Sequence, residues 1–278
     1  MVNTRCGLVA VRHTERRTRT ATVLLHGAAG SWTTWNAAIA AAESGGDISD
    51  LVVPDLPGWG DSPADVAHLD APSLAAAVAV TVRALGYDRW RLVGHSLGGF
   101  VALELAAQEP AATESVLLVS GTTFGGLGDR IRLPQLVARY APLMTLLVVM
   151  RVLAALGPGI ASRFVAALDR AHLLGLLTAP LFGHHVPEAV TDLARDLRPA
   201  AFVRAVASAR TYPAEERWRL IGCPVVAVHG DHDLFSPASD DLPLARIIPQ
   251  LRSLTVPATG HFAHVEHPSL LAGALHAR

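Results

Sequence analysis

A serine near the middle of the chain lies in a pattern that favours nucleophilic chemistry. Ser96 stands between Gly94 and Gly98, after an apolar stretch typical of a strand and before apolar residues at helical spacing. Glycine has no Cβ atom, so the chain can reverse sharply there and hold the serine in a strained conformation with its hydroxyl exposed. A helix that begins directly after the serine presents free backbone N–H groups to a developing oxyanion. The pattern therefore predicts a serine nucleophile on a tight strand-to-helix turn.

The groups that could activate this serine follow later in the chain. A serine hydroxyl becomes a good nucleophile when a base accepts its proton, and that base is usually a histidine oriented by a carboxylate. One segment carries Asp231 and Asp233, and a second carries His261, His264 and His267. Each segment follows a predicted strand, and the order Ser, Asp, His is one of the known arrangements. On residue type and order alone, both aspartates and all three histidines remain candidates.

The elements that must position these groups alternate between strand and helix patterns. Such alternation is typical of the α/β class, in which helices cover both faces of a parallel sheet and ligands bind at the carboxyl ends of the strands. Helical patterns alone occupy residues 124–213, so we expect an inserted lid there, over one core built from residues 1–123 and 214–278. The predicted strands are 7–11, 21–25, 51–53, 90–93, 115–119, 224–228 and 253–256, and the predicted helices are 32–43, 72–85, 100–108, 133–156, 160–177, 187–197, 200–210 and 268–276.

The composition excludes several classes of protein. Hydrophobic residues make up 51% of the 278 residues and charged residues 17%, which argues against disorder. A net charge of −1 gives no general attraction to nucleic acid, so we expect a small-molecule partner. The most apolar stretch, Ala141–Leu156, contains Arg151 and is shorter than the roughly 20 residues of a membrane-spanning helix, so no stable span is expected. An amphipathic or buried helix is expected there, and contact with a membrane surface is the alternative.

The predicted compartment is the cytoplasm. Cys6 and Cys223 are too few for a disulfide framework and are expected to be buried free thiols, and the first residues do not resemble a secretory signal. The oligomeric state stays open, because apolar helices of the lid could form a dimer contact as readily as they cover a pocket.

Several motifs occur together in the order and spacing of a known family. They are the His26-Gly27 pair, the D-x-P-G-x-G-x-S loop from Asp55 to Ser62, the G-x-S-x-G turn from Gly94 to Gly98, the G-x-x-D-x-x-x-P loop from Gly230 to Pro237, and the Gly260-His261 turn followed by Glu266 and Pro268. On these motifs the chain resembles the α/β-hydrolase fold family along nearly its whole length, least so in the lid. The resemblance implies a mostly parallel, doubly covered sheet with an inserted all-helical lid.

The resemblance also implies roles for individual residues. They are Ser96 as nucleophile, His261 as general base and later acid, Asp233 as the orienting carboxylate, and the backbone N–H groups of Ala28 and Leu97 as the oxyanion hole. The family spacing of the aspartate loop selects Asp233 over Asp231. His264 and His267 are then expected on the polar face of the last helix, at the surface.

Further residues are expected to line the pocket or to pack beside it. They are His26, Trp32, Trp35, His95, Phe124 and Phe262. His26 is expected mainly to brace its loop, and His95 to be mainly structural. No metal is expected, because His229 and His232 near the two aspartates lack a further cluster at metal-ligand spacing.

The expected function is that of a cofactor-independent serine hydrolase. It would cleave an ester-type bond (carboxylester, lactone or thioester) of a small apolar substrate through an acyl-enzyme at Ser96. Family members that act on epoxides or haloalkanes carry Asp at the position of Ser96, which disfavours those reactions here. Two other functions remain open: a carbon-carbon bond hydrolase, cyclase or lyase of secondary metabolism that uses the same Ser-His-Asp site, and a non-catalytic receptor for a small ligand.

Overall fold

A computed structural model describes residues 1–63, 68–123, 133–184 and 186–275. Within them the strands are β1 (Val2–Thr4), β2 (Gly7–Val9), β3 (Val11–His13), β4 (Thr20–Leu25), β5 (Leu51–Pro54), β6 (Arg89–His95), β7 (Thr113–Val119), β8 (Val225–Gly230) and β9 (Leu251–Val256). Seven of these strands form one sheet in the order β3-β5-β4-β6-β7-β8-β9. β3 pairs antiparallel with β5, and the other pairs in this sheet are parallel. β1 and β2 form a separate hairpin.

Side chains that alternate along each strand build a core on both faces of the sheet. In β4, Val23 and Leu25 join the larger apolar cluster, whereas Leu24 between them joins a cluster on the opposite face. In β6, Leu92 and Val93 divide in the same way. Near-continuous apolar strands are therefore consistent with a sheet that is covered on both sides.

Helices supply both covering layers. The α-helices are α1 (Asn36–Glu43), α2 (Ala71–Ala84), α3 (Leu97–Gln108), α4 (Leu133–Leu156), α5 (Pro158–Arg170), α6 (Leu174–Thr178), α7 (Pro187–Asp196), α8 (Pro199–Ala209), α9 (Ala214–Trp218), α10 (Asp241–Ile247), α11 (Ala263–Glu266) and α12 (Ala272–Leu275). α2, α3 and α10 contribute side chains to the larger cluster, and α1, α11 and α12 contribute to the cluster on the other face. The predicted α/β class and its parallel sheet are confirmed.

The chain leaves the sheet after β7 and returns at β8, its neighbour in the sheet. The described elements between these strands are all helical, and α4 to α8 are called the helical insert below. α4 and α8 reach the main core through side chains such as Leu147, Met150 and Phe202. A smaller cluster that includes Leu153 and Val165 holds the insert together.

The structure differs from the predicted elements where local geometry interrupts a periodic pattern. The predicted helix 160–177 is two helices, because His172 between α5 and α6 has a positive φ of 56°. The predicted helix 32–43 opens with a 3-10 turn, Trp32–Trp35, before α1 begins. β1 and β3 were not predicted as separate strands, since each has three residues.

Two further predictions concern cysteines and membrane spans. Cys6 and Cys223 are buried free thiols, as predicted. Within the described ranges no single helix is long and apolar enough to cross a membrane. α5 and the segment Leu174–Leu181 are together long and apolar enough to cross a membrane, but they meet at a bend of 103°.

Candidate active site

Ser96 occupies a strained turn between β6 and α3. Its φ of 49° and ψ of −116° lie outside the regions that non-glycine residues favour. A Cβ atom at Gly94 would overlap the backbone of Gly98, and a Cβ atom at Gly98 would overlap the carbonyl group of Leu25 on β4. These close backbone approaches explain why glycine flanks the serine on both sides, and they hold Ser96 at the carboxyl end of the central strand.

Replacing Gly98 with alanine is expected to lower the free energy of unfolding by about 3 kcal/mol, since the new methyl group meets backbone that cannot move aside. Urea unfolding of the two proteins measures this difference. Gly222→Ala is the matched control, because a Cβ atom there has nothing within 4 Å and its effect should stay below about 1 kcal/mol. Equal losses in the two variants would show that the turn is not sterically restricted to glycine.

Two backbone N–H groups are candidates for an oxyanion hole beside Ser96. Leu97 is the first residue of α3, so its N–H has no partner within the helix. The N–H of Ala28 belongs to a peptide whose carbonyl, that of Gly27, accepts hydrogen bonds from Gly30 N at 3.2 Å and from His26 Nδ1 at 2.9 Å. A trans peptide directs its N–H away from its carbonyl. Holding the Gly27 carbonyl therefore fixes the direction of the Ala28 N–H.

His26 braces this loop and does not line an open pocket. Its side chain is fully buried, Nδ1 donates to the Gly27 carbonyl, and Nε2 accepts the N–H of Leu56 at 2.9 Å. Burial lowers the pKa of His26, which keeps the ring neutral and suits this pair of hydrogen bonds. The prediction that His26 mainly braces its loop agrees with this geometry.

Asp233 and His261 form a buried pair at the ends of β8 and β9. Both carboxylate oxygens of Asp233 lie 3.0 Å from His261 Nδ1. The same carboxylate accepts the backbone N–H groups of Phe235 at 2.8 Å and Ser236 at 2.9 Å. Burial opposes ionisation of Asp233, but the His261 ring and these N–H groups outweigh it and hold the pKa of Asp233 at about 2. Asp233 is therefore ionised at neutral pH and fixes the orientation of the imidazole.

Asp231, the competing carboxylate, does not reach the histidine. Its side chain is 41% exposed, it accepts the backbone N–H of Thr259 at 3.2 Å, and it lies 3.9 Å from His232. The two aspartates of this loop thus face in different directions, and the structure brings only Asp233 to His261.

The neighbours of Ser96 Oγ include a group that the sequence did not indicate. Thr122 Oγ1 lies 3.4 Å away, and the Thr122 N–H donates to the Ser96 carbonyl at 3.1 Å. Within the described residues Ser96 Oγ makes no hydrogen bond to His261 Nε2. Catalytic hydrogen bonds are often long in unliganded enzymes and shorten in the substrate complex. The His261 turn nevertheless reaches this strand end, because His95 Nε2 donates to the His261 carbonyl at 3.0 Å.

His264 is buried, so its predicted place at the surface was wrong. Its ring is fully buried between Trp35, 4.3 Å away between centroids, and His95, 4.5 Å away. Neither ring nitrogen of His264 has a hydrogen-bond partner in the described part of the chain. Burial, and then the nearby His261, lower the pKa of His264 to about 3. His264 lies in the short helix α11, on the side that is buried together with Ala263.

The remaining residues expected at the pocket pack in the interior or lie outside the described ranges. Trp35 is fully buried in the core beside α1, which agrees with the packing alternative of its prediction. The Trp32 ring is half-buried under the guanidinium of Arg12, 4.1 Å from the ring centre. His95 is 1% exposed and Phe262 is 2% exposed, next to His261. Phe124 lies outside the described residues.

Stability is expected to fall as the pH decreases from 6.5 towards 3, in part because of His264. The unfolded state binds a proton at an ordinary histidine pKa near 6.5, whereas the folded state accepts it only near pH 3. In this window the free energy of unfolding therefore falls by up to about 1.4 kcal/mol per pH unit for this group. His264→Phe should flatten the dependence of the urea midpoint on pH, and it should cost little at pH 7 because the ring is not hydrogen-bonded.

The control for that experiment is His232→Phe, because His232 is 62% exposed. Its dependence on pH should match that of the parent protein. Parallel curves for His264→Phe and the parent protein would contradict the assigned burial of a neutral imidazole.

The histidine and carboxylate side chains near the aspartate loop pair with separate partners and do not surround a common metal position. His229 Nδ1 donates to the Ser236 carbonyl at 2.7 Å, and His229 Nε2 lies 2.9 Å from Asp241. Burial opposes protonation of His229, but Asp241 outweighs it and raises the pKa. In the ranges that the structure describes, no group of three or more His, Cys, Asp or Glu side chains could hold a metal ion.

Comparison with known proteins decides the family. The sequence model of the alpha/beta hydrolase family matches residues 22–274, which is nearly the whole chain. This chain belongs to the alpha/beta hydrolase family. The membership confirms the fold predicted from the motifs and establishes the protein as a hydrolase.

Two relatives and one solved structure show how far the similarity extends. Pimeloyl-[acyl-carrier protein] methyl ester esterase of Neisseria meningitidis is 27% identical over 219 residues, 78% of either chain. Soluble epoxide hydrolase of a Corynebacterium species is 34% identical over 97 residues, so the match spans 35% of this chain and 33% of that relative. The solved structure of an esterase from Exiguobacterium antarcticum has a TM-score of 0.71 at 16% identity and covers 99% of this chain and 96% of its own.

In this alpha/beta hydrolase the helical insert contacts two loops of the candidate site. Asp196, at the end of α7, accepts hydrogen bonds from Ser31 Oγ at 2.5 Å and Thr33 Oγ1 at 2.6 Å, close to the Ala28 loop. Its carboxylate is therefore held by two hydroxyl groups of the core, and the insert is anchored beside the candidate oxyanion hole.

The second contact joins the insert to the histidine turn. The Leu181 carbonyl accepts the N–H of His261 at 2.7 Å. Glu266 accepts the N–H groups of Gly183, in the insert, at 2.7 Å and of Gly260, in the histidine turn, at 2.9 Å. A displacement of this part of the insert would therefore move the backbone that carries His261.

Proposed function

We propose that this alpha/beta hydrolase is a serine hydrolase that cleaves an ester-type bond of a small, largely apolar molecule. The observation that carries the proposal is the buried Asp233-His261 pair, with both oxygens 3.0 Å from Nδ1, at the sheet edge where Ser96 occupies its strained turn. A nucleophile at a strand end, a histidine base and an orienting carboxylate are the parts that acyl transfer requires.

The proposed reaction has two half-reactions. Ser96 Oγ attacks the acyl carbon while His261 Nε2 accepts its proton, and the N–H groups of Ala28 and Leu97 stabilise the oxyanion. Asp233 keeps the proton of His261 on Nδ1 and stabilises the imidazolium. His261 then donates its proton to the leaving alcohol or thiol, which leaves an acyl-enzyme. Water attacks the acyl group while His261 accepts a proton from it, and His261 returns this proton to Ser96 Oγ as the bond to the acyl carbon breaks and the carboxylic acid leaves. Side chains and backbone supply every group in this route, so it uses no cofactor.

The choice of an apolar acyl substrate rests on the surroundings of His261. The half-buried ring of Phe235 lies 5.3 Å from the imidazole, between ring centres, and the half-buried ring of Phe182, in the insert, stacks at 5.1 Å on the buried Phe262 beside His261. Aromatic walls favour uncharged ligands. The methyl ester esterase among the relatives supports ester chemistry. The epoxide hydrolase supports it less, because members of the family that open epoxides carry Asp where this chain has Ser96. A lid role for residues 124–213 and a cytoplasmic location are parts of the same proposal.

Initial rates on p-nitrophenyl acetate, butyrate and octanoate test the proposal. We expect saturable hydrolysis of at least one ester by the parent protein. A folded protein that cleaves none of these esters but cleaves the carbon-carbon bond of a vinylogous 1,5-diketone would support the carbon-carbon hydrolase in its place. Tight binding of a small apolar ligand without turnover of either class would support a receptor.

A further inference from the structure

The outer face of the helical insert is apolar where a surface helix usually carries polar residues. Of the 18 large hydrophobic residues exposed in the described ranges, ten lie between residues 144 and 177. We define the outer insert face by these ten residues: Met144, Val148, Val149, Val152, Leu156, Ile160, Phe164, Leu173, Leu176 and Leu177. An exposed apolar surface of this extent on a globular protein indicates a binding surface.

Helical geometry accounts for the part of this face that α4 contributes. Met144, Val148, Val152 and Leu156 recur at intervals of four along α4, and they are 43 to 57% exposed. The opposite side of α4 is also apolar, since Leu147, Met150 and Leu153 are buried against the core and the insert. α4 is therefore apolar on two sides, and packing within this chain uses one of them.

The charges near this face have nearly one sign. Between residues 141 and 181 the charged side chains are Arg151, Arg163, Asp169 and Arg170. The three arginines are exposed, and no carboxylate of the described residues forms an ion pair with them. The whole segment 124–213 has ten arginines and five carboxylates, a net charge of +5, whereas the rest of the chain has thirteen arginines and nineteen carboxylates, a net charge of −6. The overall charge of −1 thus conceals a basic insert on an acidic core.

We propose that the outer insert face docks on a membrane surface that contains anionic phospholipid. Apolar side chains enter the boundary between headgroups and acyl chains, and the exposed arginines meet lipid phosphates. The charge distribution also sets the orientation, because the acidic core is repelled by the surface that attracts the insert. The 103° bend between α5 and the segment after it fits helices that lie on a bilayer and do not cross it.

The same charges disfavour a second copy of this chain as the occupant. A two-fold contact through the outer insert face would bring three arginines from each copy, Arg151, Arg163 and Arg170, into one interface with a single carboxylate, Asp169, from each. Like charges buried at an interface oppose association. An anionic bilayer presents the complementary sign across the whole face.

Vesicle flotation of the full chain tests this inference, and it does not depend on the proposed enzymatic function. Vesicles of phosphatidylcholine alone are compared with vesicles that contain about 30% phosphatidylglycerol, at low and at high salt. We expect binding to the anionic vesicles that weakens when salt is raised. Arg163→Ala should weaken it about fivefold, the contribution typical of one arginine at an anionic surface.

A matched pair of variants distinguishes vesicle binding through the outer insert face from nonspecific hydrophobic adsorption. Leu177 in α6 and Leu242 in α10 are both 63% exposed, but only Leu177 belongs to the face. Leu177→Glu should weaken vesicle binding on the order of tenfold, because an anchoring side chain becomes a charge of the repelled sign. Leu242→Glu should leave binding unchanged. Circular dichroism confirms that both variants fold.

Three outcomes would overturn the inference. The first is absence of binding to anionic vesicles by the folded parent chain. The second is an equal loss in Leu177→Glu and Leu242→Glu. The third is a stable dimer that Leu177→Glu converts to monomer while neither protein binds vesicles, which would assign the face to a contact between copies of the chain.

Discussion

Ser96→Ala is expected to reduce kcat for ester hydrolysis by on the order of 10⁴- to 10⁶-fold while the protein stays folded. The variant loses the atom that would form the acyl-enzyme, and the base His261 then has only water to activate. Alanine tolerates the positive φ at this position as poorly as serine does, so the variant keeps the backbone strain of the turn. The loss of rate therefore reflects the missing nucleophile and not a change in strain. Steady-state kinetics with the best p-nitrophenyl ester measures it.

Thr122→Ala is the control for this variant. Thr122 Oγ1 lies 3.4 Å from Ser96 Oγ, so removing it changes the polarity beside the nucleophile without removing a reacting atom. We expect less than about a tenfold loss, the size of one ordinary hydrogen bond. A Ser96→Ala variant that kept more than a tenth of the parental rate on esters would contradict acyl transfer to this residue.

Asp233→Asn is expected to lower kcat by about 10⁴-fold with little change in KM. Asparagine preserves the shape of the side chain but can donate to Nδ1 of His261, which favours the tautomer with its proton on Nε2, where the serine proton must go. The variant also loses the charge that stabilises the imidazolium. Rates across neutral and mildly alkaline pH measure the effect.

Asp231→Asn distinguishes the two aspartates of the loop. Asp231 is 41% exposed and makes its contacts with Thr259 and His232, so its variant should retain near-parental activity. The acid side of the pH profile gives a further check. Because the pKa of Asp233 is lower in the folded state than in the unfolded state, ionised Asp233 stabilises the folded protein. This stabilisation is complete above the unfolded pKa near 3.9 and is lost as the pH falls through about 2. Asp233 is therefore still ionised at pH 5 and should not limit activity there. A large loss in Asp231→Asn with a small loss in Asp233→Asn would reverse the assignment.

Local sequence predicted the parts of the site that depend on backbone geometry. Gly94 and Gly98 occupy positions where a Cβ atom would overlap backbone, so the residue types themselves encode the turn. Strand patterns placed Asp233 and His261 after the last two predicted strands, and the structure shows that these strands, β8 and β9, pair in parallel. The helix predicted over 133–156 has the bounds of α4, since apolar residues at helical spacing continue without interruption, even though Pro142 lies within it.

Features that depend on distant contacts were not predictable in the same way. His264 follows His261 by three residues, and it was expected at the surface, on the polar face of the last helix, because the resemblance assigned the role of the base to His261. α11 has four residues and turns the ring towards Trp35. The bonds from Asp196 to Ser31 and Thr33 join residues more than 160 positions apart. No local pattern records such a contact, and the apolar outer face of α4 is likewise visible only once the buried side is known.

The central claim is that Ser96 is an activated nucleophile served by His261. Intact-mass spectrometry after exposure to a fluorophosphonate tests it most directly, with parent protein, Ser96→Ala and His261→Ala side by side. A single adduct on the parent chain, absent in Ser96→Ala and formed far more slowly in His261→Ala, is the predicted result. An adduct that persists in Ser96→Ala, or a folded parent protein that forms none, would contradict the claim.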